Sequence, residues 1–451
     1  MQTTGALVRR LWALCNVLRD DGISYQDYLT ELTFLLFLKL AEETGTEKGI
    51  PKLCRWGELR QASSQQEPMS YQSVLDRLAN SPDPKIAEIF AGATTRIRSR
   101  SAYERLIRGI DNLAWNGATE NGMGDVYEGL IEKNAQESRY GAGQYFTPRA
   151  LVDAIIRVTN PRSHESVYDP AAGTAGFLVA AGQYSSAEHG KPSKLIGNEL
   201  VPDVGRMARM NLRLHGLSGA LHISDSLSID ARPLKYSVCL TNPPFGIKSG
   251  MSPHQTELLD FPTSNKQLAF LQHIYMSLGP RGRGAVVVPE NVLFETGVGA
   301  SVRTHLLDKY NLHTVLRLPP GIFYATGVKT AVLFFARTGR TRRTWIYDLM
   351  AANEGVSKLR RLERSHLDDF MAAYGADPFG EDPRESTPCF QSFTREEIRE
   401  SNDRLDLAPE RDHPSTARSP IVLLESITAE LEGAMAAARE MRQLVRDADP
   451  Q

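Results

Sequence analysis

Three short stretches and two strand-end acids carry residue types whose spacing can do chemistry. The sharpest is Asn242-Pro243-Pro244-Phe245, which follows the run Ser237-Val238-Cys239-Leu240-Thr241. A short apolar run reads as a buried parallel strand. Proline lacks the ladder N–H and ends it, so the amide, the prolines and the ring leave the strand at its carboxyl end. In open α/β sheets that edge is where ligands bind. There, the Asn242 side-chain oxygen and the Pro243 carbonyl can each accept one N–H of an exocyclic amino group on a flat base. That pairing turns the nitrogen lone pair out of conjugation and towards an electrophile, the methyl of a sulfonium cofactor. Phe245 can stack on the base, and the prolines fix the carbonyl's direction at little entropic cost. Such a site works by positioning and preorganised acceptors, without a nucleophile or an unusual base.

The other two stretches and the two acids read as a holder for a nucleoside. Asp169-Pro170-Ala171-Ala172-Gly173-Thr174-Ala175-Gly176-Phe177 is strand, glycine turn, helix, and the glycines let the backbone approach a ligand. It is not GxGxxG, and no Gly-Lys-Ser/Thr follows, so neither an ordinary dinucleotide site nor a P-loop is indicated. Glu199 ends a second strand 23 residues after Gly176, near the roughly 20-residue spacing of a carboxylate that grips ribose hydroxyls. Asp225 ends a third strand, where a turn or cap acid is an equal reading. Upstream, Gln144-Tyr145-Phe146-Thr147-Pro148-Arg149 is an aromatic loop beside glycines at a helix start, fit to hold the polar end of a small ligand. Thr147 is expected to be the N-cap and Pro148 the first helical residue.

The elements that must position these residues alternate. Strands are predicted at Ser166, Leu195–Glu199, Ala220–Ile223, Tyr236–Thr241, Ala285–Val288, Thr314–Leu318 and Ala331–Phe335, with helices between the earlier ones and a turn over Gly279–Gly284. The expected fold is α/β, one doubly wound, mostly parallel sheet. Residues 1–135 read as an all-helical domain. Tyr28 to Leu40 follows helical spacing, with Phe34–Leu38 apolar on most sides and Glu31 at a polar position. Gly57–Pro68 reads as a loop. After the sheet domain, 136–350, comes a mixed extension, 351–415, whose Tyr374–Pro388 is turn-rich. The last segment, 416–451, reads as a helix for subunit assembly, with Leu424, Leu431, Ala438 and Val445 recurring at sevens as a short heptad seam or, equally, as the face of an amphipathic helix that docks on a partner.

Composition narrows the class further. With 451 residues, 41% hydrophobic and 24% charged, the chain has the make-up of two or three globular domains. No apolar run reaches membrane length, the longest being broken by Thr33 and Lys39. The first residues show no export signal, and the four cysteines lie far apart with no metal-ligand or disulfide spacing, so the expected location is the cytoplasm and no metal is expected. A net charge of −2 is not that of an autonomous DNA binder, so a partner would supply much of the grip on nucleic acid.

In this order, the Gln144–Arg149, Asp169–Leu178 and Asn242–Phe245 blocks resemble amino-group DNA methyltransferases of the adenine-N6 type. With Ser264–Gln267, Val288–Phe294 and Leu318–Thr330, the whole chain resembles the modification (M) subunit of type I restriction–modification systems. The resemblance implies a Rossmann-like methyltransferase sheet and methyl transfer from S-adenosylmethionine to N6 of adenine in double-stranded DNA, protecting host DNA from restriction. It implies that Gln144, Tyr145, Phe146, Thr147, Pro148 and Arg149 hold the methionine end of the cofactor. Asp169, Gly173, Thr174, Ala175, Gly176 and Phe177 would form the turn beneath it, Glu199 would bind its ribose and Asp225 its adenine. Asn242, Pro243, Pro244 and Phe245 would bind the target base, which must leave the helix. Implied partners are a specificity (S) subunit, a second M subunit and a restriction (R) motor-nuclease subunit. Many relatives have glycine where Ala175 stands, so this turn is expected to avoid strongly positive φ or to carry strain. Cytosine-C5 transfer is excluded, since it needs a cysteine nucleophile and Cys239 lies inside the strand. Cytosine-N4 transfer shares the amino chemistry, and the resemblance favours adenine. The flanking blocks disfavour a glutamine or RNA methyltransferase, and a cofactor-binding assembly scaffold is the alternative from another class.

Overall fold

The computed structural model describes residues 4–23, 27–62, 70–115, 123–137, 147–228, 234–246, 258–323, 329–352 and 362–407. The expected C-terminal helix, Gln144–Phe146 and part of the Leu318–Thr330 block lie outside them.

Among the described residues, eight α-helices lie in the chain before residue 138: α1 (Thr4–Ala13), α2 (Cys15–Asp20), α3 (Tyr28–Glu43), α4 (Trp56–Ala62), α5 (Tyr71–Ala79), α6 (Pro84–Phe90), α7 (Arg100–Asp111) and α8 (Met123–Glu137). Local sequence starts several of them. Ser70, Asp83 and Ser99 cap α5, α6 and α7 by accepting backbone N–H bonds, and Pro84 opens α6. The expected loop at Gly57–Pro68 is instead helical as far as Ala62, because Trp56 and Leu59 turn one face of α4 into the core. α3 is the centre of this part, and between Tyr28 and Ala41 only Thr30 is not buried. Glu31, expected at a polar position, is buried too. Its carboxylate is satisfied by the Thr95 hydroxyl at 2.8 Å and the Arg96 amide at 2.6 Å.

Nine strands form one sheet: β1 (Ser166–Asp169), β2 (Lys194–Glu199), β3 (Gly219–Ile223), β4 (Tyr236–Thr241), β5 (Leu278–Pro289), β6 (Asn311–Arg317), β7 (Thr330–Ala336), β8 (Arg343–Asp348) and β9 (Phe390–Thr394). Their order is β3-β2-β1-β4-β5-β7-β6-β8-β9. The first five run parallel, β7 is antiparallel to β5 and β6, β8 is parallel to β6, and β9 is antiparallel at the edge. The doubly wound α/β expectation holds. β8 and β9 extend the sheet beyond the strands read from sequence. Gly279–Gly284 is not a separate turn but part of β5: pairing with β4 jumps from Leu278 to Arg283 and leaves a wide bulge, where Arg281 takes φ 54°.

The helices that flank the sheet are α9 (Arg149–Thr159), α10 (Gly176–His189), α11 (Pro202–Leu214), α12 (Lys266–Ser277) and α13 (Val298–Lys309). α11 serves two cores. Met207, Met210 and Leu214 enter the apolar cluster of the N-terminal helices, while Ala208 and Leu212 join that of the sheet. The order reverses between β1 and β4, the switch point at which such sheets bind ligands beyond the strands' carboxyl ends.

Candidate active site

Parallel pairing brings Asp169, Glu199, Ile223 and Thr241 to one edge of the sheet, each the last residue of its strand. Asp169 is 1% exposed, and its Oδ1 accepts the Ala171 amide at 3.0 Å, closing the first turn beyond β1. Burial pushes its carboxyl up to about 7, against the opposing pull of that amide.

The glycine turn is built around Glu199. Its Oε2 accepts the Gly173 N–H at 2.9 Å and its Oε1 the Val201 N–H at 2.8 Å. Burial raises its pKa, and these backbone bonds oppose the shift. Each oxygen keeps a second acceptor site for a ligand hydroxyl. Among the described residues, a Cβ built at Gly173 or Gly176 meets nothing within 4 Å, which leaves room beside the turn for a ligand. Gly173 takes φ 54°. Ala175 takes φ 67°, so the turn does not avoid positive φ, and a non-glycine residue sits in the left-handed region at the N-cap of α10. The side chains of Ala175 and Phe177 are buried in the sheet's core, so they serve the turn through their backbone.

Asp225 acts as a turn acid, its Oδ1 accepting the Leu227 N–H at 3.0 Å. Below it the Tyr168 hydroxyl meets His273 Nε2 at 3.1 Å. Burial holds that imidazole down, to about 4, so it is neutral. Leu200 is 61% exposed just past Glu199, and Val201 and Ile223 are exposed beside it. They form an apolar shelf next to two carboxylates, the surface a flat heterocycle requires.

Asn242 to Phe245 leave β4 as expected. Phe245 is half-buried and meets Phe323 edge to face, with ring centroids 6.4 Å apart. Asn242 Nδ2 donates to Thr147 Oγ1 at 3.0 Å. This corrects the expectation for Thr147. The residue before α9 is Pro148, which makes no side-chain cap bond, and the Thr147 hydroxyl serves Asn242 instead. Arg149 opens α9, and its guanidinium is engaged by Glu128 of α8, by Asp153 at 3.2 Å and by Gln183 of α10 at 2.9 Å. Cys239 is buried within β4 and burial pushes its thiol up, so it is no nucleophile.

Two positioning residues escaped the sequence reading. The buried Asn211 of α11 donates to the Thr174 carbonyl at 2.9 Å and to Glu128 Oε1 at 3.3 Å. A signal was present, since Asn211 stands between Met207, Met210 and Leu214 on an apolar face, where an amide needs a partner. Glu128 shows no such signal. Asp125, Glu128 and His215 also bring ligand atoms within 4.8 Å of one another, but the Arg149 guanidinium occupies the Glu128 carboxylate, which makes the cluster an ion-pair network.

A mostly parallel sheet with this switch point, a glycine turn held by an acid, and Asn-Pro-Pro-Phe at the adjacent strand exit together define an amino-group methyltransferase. The model of the N-6 DNA methylase family matches residues 118–416, and the chain belongs to that family. Within it, the chain is similar to the type I restriction enzyme methylase subunits. It is 38% identical to the StySJI subunit of Salmonella typhimurium over 98% of this chain and 95% of that one. It is 42% identical to the EcoKI subunit of Escherichia coli K12 over 87% and 80% respectively. A crystal structure of the EcoKI M protein is 34% identical, covers 99% of this chain and 96% of its own, and superposes with a TM-score of 0.55. The chain is thus an adenine-specific DNA methyltransferase subunit. Among the described residues no helix is long and apolar enough to cross a membrane.

Proposed function

We propose that the edge formed by Asp169, the 173–176 turn, Glu199 and Asp225 binds S-adenosylmethionine, and that Asn242–Phe245 present the target adenine to it. Placement of Asn242-Pro243-Pro244-Phe245 beyond β4, beside the Glu199-held turn beyond β1 and β2, carries this reading. The residues fit such a ligand. No described residue comes within 4 Å of a Cβ at Gly173 or Gly176, Glu199 has acceptor capacity for a diol, and Leu200 offers an apolar face to the adenine. Gln144, Tyr145 and Phe146 would hold the methionine end. S-adenosylmethionine supplies, when bound, an electrophilic methyl on a sulfonium.

The chain's own groups do the rest. Asn242 Oδ1 and the Pro243 carbonyl accept the two N–H bonds of the adenine amino group and aim its lone pair out of the ring plane. Phe245, braced by Phe323, holds the base by stacking. With the cofactor bound, the amino nitrogen's lone pair would form the new C–N bond as the S–CH3 bond breaks to leave a neutral thioether, and the proton then lost from nitrogen would pass by way of the Asn242 Oδ1 and Pro243 carbonyl side to solvent. Residues 136–350 would be the catalytic domain, 351–415 an extension and 1–135 a helical domain. The 416–451 helix would dock on an S subunit that reads the DNA sequence, alongside a second M subunit, with an R subunit joining for restriction. A net charge of −2 supports this division of labour.

The test is Asn242→Ala in the assembled complex, with methylated bases mapped in the product DNA. Methylation is expected to fall by roughly 10²–10³-fold while the complex still assembles, and the wild-type product is expected to be N6-methyladenine. Undiminished methylation by the variant would make the chain a scaffold at this site, and N4-methylcytosine as the product would overturn the choice of base.

A further inference from the structure

The Thr147 hydroxyl has been taken from its expected local use. It does not cap α9 but receives the Asn242 Nδ2–H at 3.0 Å, across 95 residues of sequence. A primary carboxamide is two-sided, and rotation about its last side-chain torsion exchanges oxygen and nitrogen with little intrinsic preference. The Thr147 hydroxyl can accept from Nδ2 or donate to Oδ1, so it pins the plane of the carboxamide, and the structure shows the orientation in which Nδ2 donates to it. With Nδ2 bonded to Thr147, Oδ1 is turned to the opposite side of the carboxamide. The flipped carboxamide would turn an N–H donor in that direction, and a donor cannot hold an amino group as an acceptor can.

Thr147 is itself anchored. Two residues on, Arg149 is gripped by Glu128, Asp153 and Gln183, which come from α8, α9 and α10. Pro148 between them has φ limited by its ring and accepts the Leu151 N–H at 2.9 Å. The hydroxyl is therefore held by a stiff segment tied to three helices.

We infer that Thr147 is a positioning residue for the methyl-transfer step, which holds the Asn242 carboxamide by its nitrogen side and so leaves its oxygen to the base. This rests on the reading of Asn242 as the acceptor of the adenine amino group. It differs from the role in holding the cofactor that the Gln144–Arg149 block implies for Thr147, and the two roles separate in kinetics. A residue that orients Asn242 affects the rate of transfer with both substrates bound, whereas a cofactor ligand affects cofactor affinity.

The experiment compares Thr147→Val and Thr147→Ser with wild type. Cofactor affinity is measured by equilibrium binding of S-adenosylmethionine to the full-length chain. The single-turnover methylation rate is measured in the assembled complex with saturating DNA and cofactor. Thr147→Val keeps the shape and removes the acceptor. Its rate is expected to fall about tenfold, the equivalent of one ordinary hydrogen bond, with the dissociation constant within twofold of wild type. Thr147→Ser restores the hydroxyl and is expected to recover the rate to within twofold. An unchanged rate in Thr147→Val overturns the inference. So does a rate loss matched by an equal loss of cofactor affinity at subsaturating cofactor and abolished at saturation, or a failure of Thr147→Ser to rescue. If Thr147→Val does not assemble, Thr147→Ala is read by the same criteria. Asn242→Ala run in parallel separates the two levels. If it is inactive while Thr147→Val matches wild type, only the inference fails; if it is active, the reading of the site fails.

Discussion

Ala175 shows how a single residue balances opposing terms. Its left-handed backbone costs roughly 1–2 kcal/mol relative to a glycine there, yet its methyl is fully buried in the sheet's core, which returns about 0.8 kcal/mol. Glycine would also raise the entropy of the unfolded chain by the equivalent of about 0.5–1 kcal/mol. These terms nearly cancel, so Ala175→Gly is expected to leave stability within about 1 kcal/mol of wild type. Ala175→Val, which adds a branched Cβ at φ 67°, is expected to destabilise by about 2 kcal/mol or more. Chemical denaturation midpoints check both, and a valine variant as stable as wild type would show that the turn does not hold this conformation. The sequence raised the question of strain here, since alanine stands where the family resemblance implies glycine. The sign of φ came only from the closed turn, in which Ala175 N–H reaches the Ala172 carbonyl at 2.8 Å.

At the scale of elements, α11 joins the helical part to the site. Its apolar residues fill both cores, and Asn211 ties the Thr174 carbonyl to Glu128, which in turn grips Arg149 at the start of α9. The glycine turn and the Thr147 segment are thus braced from the same carboxylate on α8. Asn211→Leu keeps the volume and removes both bonds. It is expected to lower stability by about 2 kcal/mol, the cost of leaving buried acceptors unmatched, and to weaken cofactor binding several-fold because the turn loses its anchor. Thermal melting and equilibrium cofactor binding measure the two effects. Lower stability with unchanged affinity would show that the turn is set by Glu199 alone. The helix itself was legible from the spacing of Met207, Met210 and Leu214. The partners of Asn211 were not, because one is 37 residues away and the other 83.

The whole molecule carries nearly balanced charge, with 52 basic and 54 acidic residues. Phosphate neutralisation provides most of a protein's general affinity for DNA, so the chain by itself is expected to bind duplex DNA weakly and with a shallow salt dependence. The complex with a specificity subunit is expected to bind at least 10²-fold more tightly, with a steeper slope of log K against log salt. Titration by fluorescence anisotropy at several salt concentrations tests this, and tight, steeply salt-dependent binding by the isolated chain would refute the division of labour.

The amino-acid sequence alone determined the parallel strands, their carboxyl ends and the chemistry placed on them. Apolar runs cut by Pro or Gly are local signals, and Asn242–Phe245, the 173–176 turn and Glu199 each lie within a few residues of such a break. It also pointed to the family, because several such blocks recur in one order. Only the tertiary structure decided the strand order beyond β5, the inclusion of β8 and β9, the burial of Glu31 and the uses of Thr147, Arg149 and Asn211. These depend on which segments meet across tens of residues. A hydroxyl that could cap its own helix takes a distant amide instead once the sheet brings β4 beside the start of α9, and no local pattern records that choice.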